Sequence, residues 1–267
     1  MIFQQHIRAV PRITPNDWVL SIDGYVERPL TLQLATMLQR PHITRPSVLI
    51  CSAHSAENPM LAEAEWGGVP FQAIVDYVQP QAEFVNFHSS DGYATSLPLA
   101  ALQDALLALT LNGQPLPPEH GYPVRLMVPG RAGYKQPKWI QNIVFAREPV
   151  SGFWERHGAS ADGAAPPAVT LDAITPQRVR VGESVRLAGH VYIPHAHQMS
   201  ALSIRVGQSS HSNVPLEARP SGLYRWQTTW FAQVPGLYPV QLRMLEADYA
   251  EVLVDVRYPQ AVIQVSA

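Results

Sequence analysis

Cysteine is almost missing: Cys51 is the one thiol in 267 residues. A lone thiol forms no internal disulfide, and it builds no structural zinc site without other ligands. Charge is also scarce, at 15% of residues with a formal net charge of −2. That near-neutral balance leaves no electrostatic footprint for nucleic acid or an anionic membrane surface. No apolar stretch approaches the roughly 20 residues needed to span a bilayer. The start, Met1-Ile2-Phe3-Gln4-Gln5-His6, has neither a basic segment followed by an apolar one nor a twin arginine. The expected location is therefore the cytoplasm, or the periplasm where a leader has been removed. No Cys-x-x-Cys-His haem motif, flavin or dinucleotide fingerprint, internal repeat or low-complexity run occurs.

What is present belongs to a folded protein of roughly two domains, on a scale of about 150 residues each. The residues are 46% hydrophobic, and 25 prolines spread along the chain favour short strands and many turns over a helical bundle. Trp18 to Val26 alternates apolar and polar residues as a half-buried strand does. Thr31 is placed to cap a helix over Leu32 to Leu38, and Pro70 to occupy the first turn of a helix through Val78. Glu83 to Phe87 reads as a strand, Asp91-Gly92 as a turn and Leu99 to Leu109 as a helix. Val124 to Val128 and Trp139 to Phe145 read as buried strands. The expectation for residues 1–158 is an α+β domain.

Residues 159–167, Ala-Ser-Ala-Asp-Gly-Ala-Ala-Pro-Pro, are small, polar and proline-rich, the composition of a linker. Beyond them, over 168–267, strand follows strand: Val179 to Val181, Ser184 to Val191, Leu202 to Val206, Tyr224 to Phe231, Tyr238 to Met244 and Glu251 to Val256. Gly182, Gly207, Gly222 and Gly236 punctuate them. That spacing predicts an all-β immunoglobulin-like sandwich without a disulfide. Trp226, Trp230, Phe231 and Tyr238 supply aromatic area for its core or for an interface.

Cys51 ends the apolar run Ser47-Val48-Leu49-Ile50 and precedes the polar loop Ser52-Ala53-His54-Ser55-Ala56, the pattern of a buried strand delivering a thiol to its exit. Alone it reads as a small buried core residue. Four further segments change that reading: Trp66-Gly67-Gly68-Val69-Pro70; Asp91-Gly92-Tyr93 with Ser96-Leu97-Pro98-Leu99; Asn112-Gly113-Gln114-Pro115-Leu116; and His120-Gly121-Tyr122-Pro123-Val124-Arg125-Leu126-Met127-Val128-Pro129-Gly130 with Lys138-Trp139-Ile140. In order and approximate spacing this series resembles the molybdopterin domain of the sulfite oxidase family over residues 3 to 158. The last segment is the most specific. The sandwich that follows resembles, less distinctly, that family's dimerisation domain.

The resemblance implies a molybdenum-molybdopterin cofactor, with Cys51 as the metal's thiolate ligand and the residue at which catalysis is centred. A soft thiolate suits such a metal, and a carrier with an anionic phosphate calls for fixed cations. Arg125 offers a planar fork of donors and Lys138 a compact charge. Positions matching His6, Gln5, Asp91, His120, Arg125, Gln136, Pro137 and Lys138 are the implied cofactor contacts. Each has an ordinary reading too: Asp91-Gly92 as a turn, Trp66 and Trp139 as core anchors.

Three departures bear on the substrate. Sulfite-oxidising members place an arginine where this chain has Gln4, and a tyrosine near what is here Ala159. The loop after Cys51 has Ser52-Ala53-His54 in place of an arginine pair. A neutral amide does not replace a guanidinium's attraction for sulfite or nitrate. The resemblance thus implies an oxidoreductase performing oxygen-atom or two-electron transfer on a small substrate other than sulfite. It also implies a homodimer, while the missing haem, flavin and dinucleotide motifs imply a separate electron-transfer partner, and the charge balance and short apolar runs imply no nucleic acid and no membrane span. The alternative is a catalytically degenerate relative serving as a binding or scaffold module; a third reading has two domains and no cofactor. His195 and His197, two apart, share a face as a metal-chelating pair would, without an evident third ligand.

Overall fold

The structure, a computed structural model, describes residues 2–51, 60–194, 199–246 and 252–267. The described residues divide into two compact units, 2–51 with 62–165, and 60–61 with those from 166 to 267.

The first unit has two sheets. One has the order β2 (Leu30–Gln33), β1 (Val19–Gly24), β10 (Ile140–Ala146), β5 (Phe84–Ser89), β6 (Ala94–Pro98), with β1 and β10 parallel. The other runs β3 (Ile43–Cys51), β4 (Met60–Pro70), β7 (Leu106–Leu111), β8 (Gln114–Pro115), with β9 (Arg125–Met127) paired to β7. The helices α1 (Leu34–Gln39), α2 (Phe71–Val78) and α3 (Phe153–Arg156) are short, so this unit is mostly β, with less helix than an α+β reading expects.

The expected helix over Leu99 to Leu109 is a 3₁₀ turn, Leu99–Leu102, followed by strand β7. Along β7, Leu107 and Leu109 join one core cluster, and Leu106, Ala108 and Leu111 another. A strand buried on both faces is apolar at consecutive positions, and its sequence does not distinguish it from a helix. Thr31 does not cap α1: its backbone pairs with Ser21 in the β1–β2 ladder, and the helix starts after Gln33 without a side-chain cap. Pro70 immediately precedes α2.

The pair Gly67-Gly68 sits at a register shift between β4 and β7. A Cβ on Gly68 would lie 2.1 Å from the Leu107 carbonyl oxygen, so only glycine permits this approach of two backbones. The segment 159–165 is fastened to the first unit: Gly163 O accepts from Ala132 N–H at 2.8 Å, Ala165 N–H donates to Gly130 O at 3.0 Å, and Ala165 is buried.

The described residues of the second unit form two five-stranded sheets. In the first, β11 (Ala168–Val169), β14 (Ser184–Tyr192), β18 (Leu223–Phe231) and β17 (Leu216–Ala218) run in that order, with β12 (Ala173–Thr175) also on β14. In the second the order is β13 (Arg178–Arg180), β20 (Val252–Ser266), β19 (Gly236–Glu246), β15 (Met199–Val206), β16 (Ser212–Val214). One core takes Val185, Leu187, Val191 and Trp226 from the first sheet and Leu202, Ile204, Val240, Leu242 and Val256 from the second. Among the described residues no helix is long and apolar enough to cross a membrane.

Candidate cofactor site

Val48, Leu49, Ile50 and Cys51 are all buried, so β3 carries the thiol through the core to its last position. There Cys51 Sγ donates a hydrogen bond to Gln5 Oε1 at 3.0 Å. Gln5 belongs to an irregular N-terminal segment whose Ile2 and Phe3 pack against the cluster containing Leu49, Trp66, Leu106 and Met127. The next residue, His6, sets its ring edge-on to Trp139, with ring centres 6.3 Å apart. Consecutive Cα atoms are about 3.8 Å apart, so one dipeptide links the thiol to Trp139.

Trp139 precedes β10 with φ +53°, a left-handed backbone that an aromatic residue rarely adopts. Its indole N–H donates to Pro118 O at 2.7 Å. Above its ring, 4.3 Å from the centre, lies Lys138 Nζ, which also donates to Glu119 O at 2.9 Å. Arg125, at the start of β9, is 3% exposed. Its Nη1 donates to His120 O at 3.1 Å and its Nη2 to Gln136 O at 3.3 Å. The guanidinium carbon lies 4.9 Å from the ring centre of Trp66, and its Nε–H, buried, has no partner. Trp66 and Trp139 are core anchors by burial, and each also seats a cation on its face.

Arg125 and Lys138 stand close enough to disturb each other's charge. Burial pushes Arg125 down to about 9. Burial first, then Arg125, bring Lys138 to about 8, against the opposing pull of Asp91 and Glu119. Burial and Arg125 likewise hold His120 below its ordinary value, which leaves the imidazole neutral near pH 7. Asp91 closes the turn at Gly92, its Oδ1 accepting from Tyr93 N–H at 3.0 Å. The Gln136 side chain is occupied by the backbone: Oε1 accepts from Val128 N–H at 3.2 Å, and Nε2 donates to Arg131 O at 2.8 Å. Pro137 O accepts from Leu126 N–H at 2.9 Å, so both residues brace Arg125 through the main chain. His6, Gln5, Asp91, His120, Arg125, Gln136, Pro137 and Lys138 are thus joined to Cys51 by an unbroken series of contacts and short-range electrostatics. Ser52 to His54, and His195 with His197, lie outside the described residues.

Nothing in the sequence marks Lys135 and Glu155. Their Nζ and Oε1 meet at 2.5 Å, with side chains 1% and 6% exposed. Nζ also donates to Ser96 O at 2.8 Å, and Oε1 accepts from Thr95 Oγ1 at 2.7 Å. Tyr93 Oη donates to Tyr134 O at 2.6 Å; burial and Glu155 push both phenols up, Tyr134 to about 12. Tyr134 Oη donates to Ser160 O at 2.8 Å, so a phenol from elsewhere in the chain reaches the residue after Ala159. Partners 20 residues apart, one ending a 3₁₀ turn and the other on the one-turn helix α3, leave no periodic signal.

Two adjacent cations, Arg125 buried with an orphaned donor and Lys138 half-buried, neither in a salt bridge among the described residues, fit an anion such as a carrier's phosphate. One thiolate fits a soft metal whose remaining donors come from that carrier. The donor set therefore suits a molybdopterin.

Known proteins agree. Residues 7–154 match the family described as oxidoreductase molybdopterin binding domain. The oxidoreductase YuiH of Bacillus subtilis is 32% identical over 145 residues, covering 53% of this chain and 71% of that protein. An NADPH nitrate reductase of Beauveria bassiana is 29% identical over 164 residues, 52% of this chain and 18% of the reductase, so the chain spans less than a fifth of it. The sulfane dehydrogenase SoxCD of Paracoccus pantotrophus shares the fold, with a TM-score of 0.79 at 19% identity over 93% of this chain and 72% of that one. With the family match covering more than half its length, the chain belongs to the molybdopterin-binding oxidoreductases of the sulfite oxidase type, whose cofactor is molybdenum-molybdopterin.

Proposed function

We propose that the first unit holds molybdenum-molybdopterin with Cys51 as the metal's thiolate ligand, and performs oxygen-atom or two-electron transfer on a small substrate other than sulfite. The observation that carries this is the Gln5-His6 dipeptide, which joins the buried thiol to the Trp139–Lys138 end of the cation cluster. When bound, the group supplies the two-electron chemistry. The chain's own residues bind and orient it: Arg125 and Lys138 hold the anionic end, the neutral His120 donates or accepts at the pterin or phosphate, and Asp91 opposes excess positive charge. Gln4 is exposed and uncharged where sulfite-oxidising relatives carry arginine, which supports a substrate other than an oxyanion. Electrons pass to a separate partner. We further propose that the second unit is an immunoglobulin-like module through which two copies pair, supported by its two sheets about one core and by the exposed Phe231, Val234 and Leu237.

The test is a metal assay on protein made in a host that synthesises the cofactor. Stoichiometric molybdenum that disappears in Cys51→Ser supports the proposal; a native-sequence protein free of molybdenum overturns it. A second reading, a binding or scaffold module without turnover, draws on Gln4 and on Ala159. Turnover of any oxidant or reductant in a substrate screen eliminates it.

A further inference from the structure

The hydrogen bond from Cys51 Sγ to Gln5 Oε1, 3.0 Å long, uses the thiol's proton. Ligation of a metal removes that proton. The sulfur then has only lone pairs to offer, and an amide oxygen facing it at this distance is repelled. The same amide carries two N–H donors on its other arm. Its terminal torsion is broad and roughly two-fold, so a half-turn exchanges acceptor for donor without moving the main chain. The main chain is anchored on both sides of the exposed Gln5: the partly buried Ile2 and Phe3 pack against the cluster around Trp66, and the ring of His6 abuts Trp139.

Building on the molybdopterin reading above, we propose that Gln5 is a positioning residue that reverses its side-chain amide when metal replaces the thiol proton, so that Nε2–H donates to the Cys51 thiolate. An N–H···S bond withdraws electron density from the sulfur and weakens its donation to the metal. The reduced state gains relative to the oxidised one, and the reduction potential rises. Gln5 thereby tunes the centre through Cys51 without touching substrate.

The experiment is a redox titration of molybdenum-loaded wild type, Gln5→Met and Gln5→Glu, followed by molybdenum EPR, with metal content measured after dialysis. Gln5→Met keeps the length and neutrality but has no donor. It should lower the one-electron equilibrium constant for reduction roughly tenfold, a downward shift of about 59 mV. Gln5→Glu only accepts and adds negative charge beside the sulfur. It should fall further and lose metal roughly ten- to a hundredfold more readily. A side chain that merely packs predicts wild-type potential and metal content for Gln5→Met, and that result overturns this inference alone. Wild-type protein without molybdenum overturns the cofactor reading and this inference with it.

Discussion

Arg125 lies across Trp66, its guanidinium carbon 4.9 Å from the ring centre, while two of its nitrogens donate to the carbonyls of His120 and Gln136. The fork of donors is fixed from below by an aromatic face and from the side by main chain, so its remaining edge is oriented before any ligand arrives. Lysine keeps the charge and loses the fork. Arg125→Lys is therefore expected to weaken cofactor retention roughly ten- to a hundredfold, the scale of about 1.5–3 kcal/mol for a hydrogen bond to a charged group. Molybdenum per protein after successive dilution and gel filtration measures it. Full retention in the variant would show that the anion is held elsewhere.

The neighbouring Lys138 makes a pH prediction. Burial and Arg125 bring its folded-state value to about 8, against about 10.5 in the unfolded chain. Between these two values the unfolded chain holds a proton that the folded chain has released, so this residue makes stability rise with pH across that window. Below pH 8 the charge is present in both states and its burial is a standing cost. Cofactor-free wild type should accordingly gain stability relative to Lys138→Met as pH goes from 7 to 10. Urea midpoints of both proteins, taken pairwise at each pH, test this. An anion seated between Arg125 and Lys138 restores the lysine's proton, so the trend should flatten in the loaded protein. A midpoint difference that stays constant with pH rules out the burial argument.

Much of this site is legible because its chemistry needs particular residue types close together in the chain. His120, Arg125 and Lys138 lie within one stretch, and Cys51 stands out by its rarity. The fold is less legible where burial erases periodicity. Leu106 to Leu111 is apolar because both faces of β7 are covered, and a helix buried all round would read alike. The bracing is not legible at all. Gln136 reads as a contact residue, yet its amide serves Val128 and Arg131, and Lys135 meets Glu155 only after the intervening chain has crossed β10. Such pairings depend on where two short segments distant in the chain end up, which no local pattern records.

Gly68 supplies a third test, on the support beneath the cations. Its missing Cβ admits the Leu107 carbonyl, and the register shift it allows lies two residues from Trp66. Gly68→Ala forces the β4 and β7 backbones apart or breaks their ladder. The expected cost is about 1–3 kcal/mol, in the range of an overpacked core position. Because Trp66 carries Arg125, cofactor retention should fall as well. Urea denaturation gives the first quantity and metal content the second; a variant unchanged in both would mean the two strands separate without consequence.

The Lys135–Glu155 pair makes the sharpest prediction about stability. With side chains 1% and 6% exposed, neither charge has water to turn to if the other is removed. Glu155 Oε2 is already buried without a partner, so the carboxylate depends on Oε1, shared between Lys135 Nζ and Thr95 Oγ1. Breaking a buried pair from one side typically costs about 3–5 kcal/mol, whereas replacing both members by apolar groups is often neutral. Lys135→Met alone and Glu155→Leu alone should each destabilise the protein by about that amount, a large part of the roughly 5–15 kcal/mol that holds a domain together. The double variant Lys135→Met/Glu155→Leu should recover most of the loss, giving a coupling energy of several kcal/mol in a double-mutant cycle followed by urea denaturation. Additive single-variant losses would mean that Thr95 and the Ser96 carbonyl, and not the opposite charge, keep each group in place. In that event the short Nζ–Oε1 contact is a consequence of packing and not its cause.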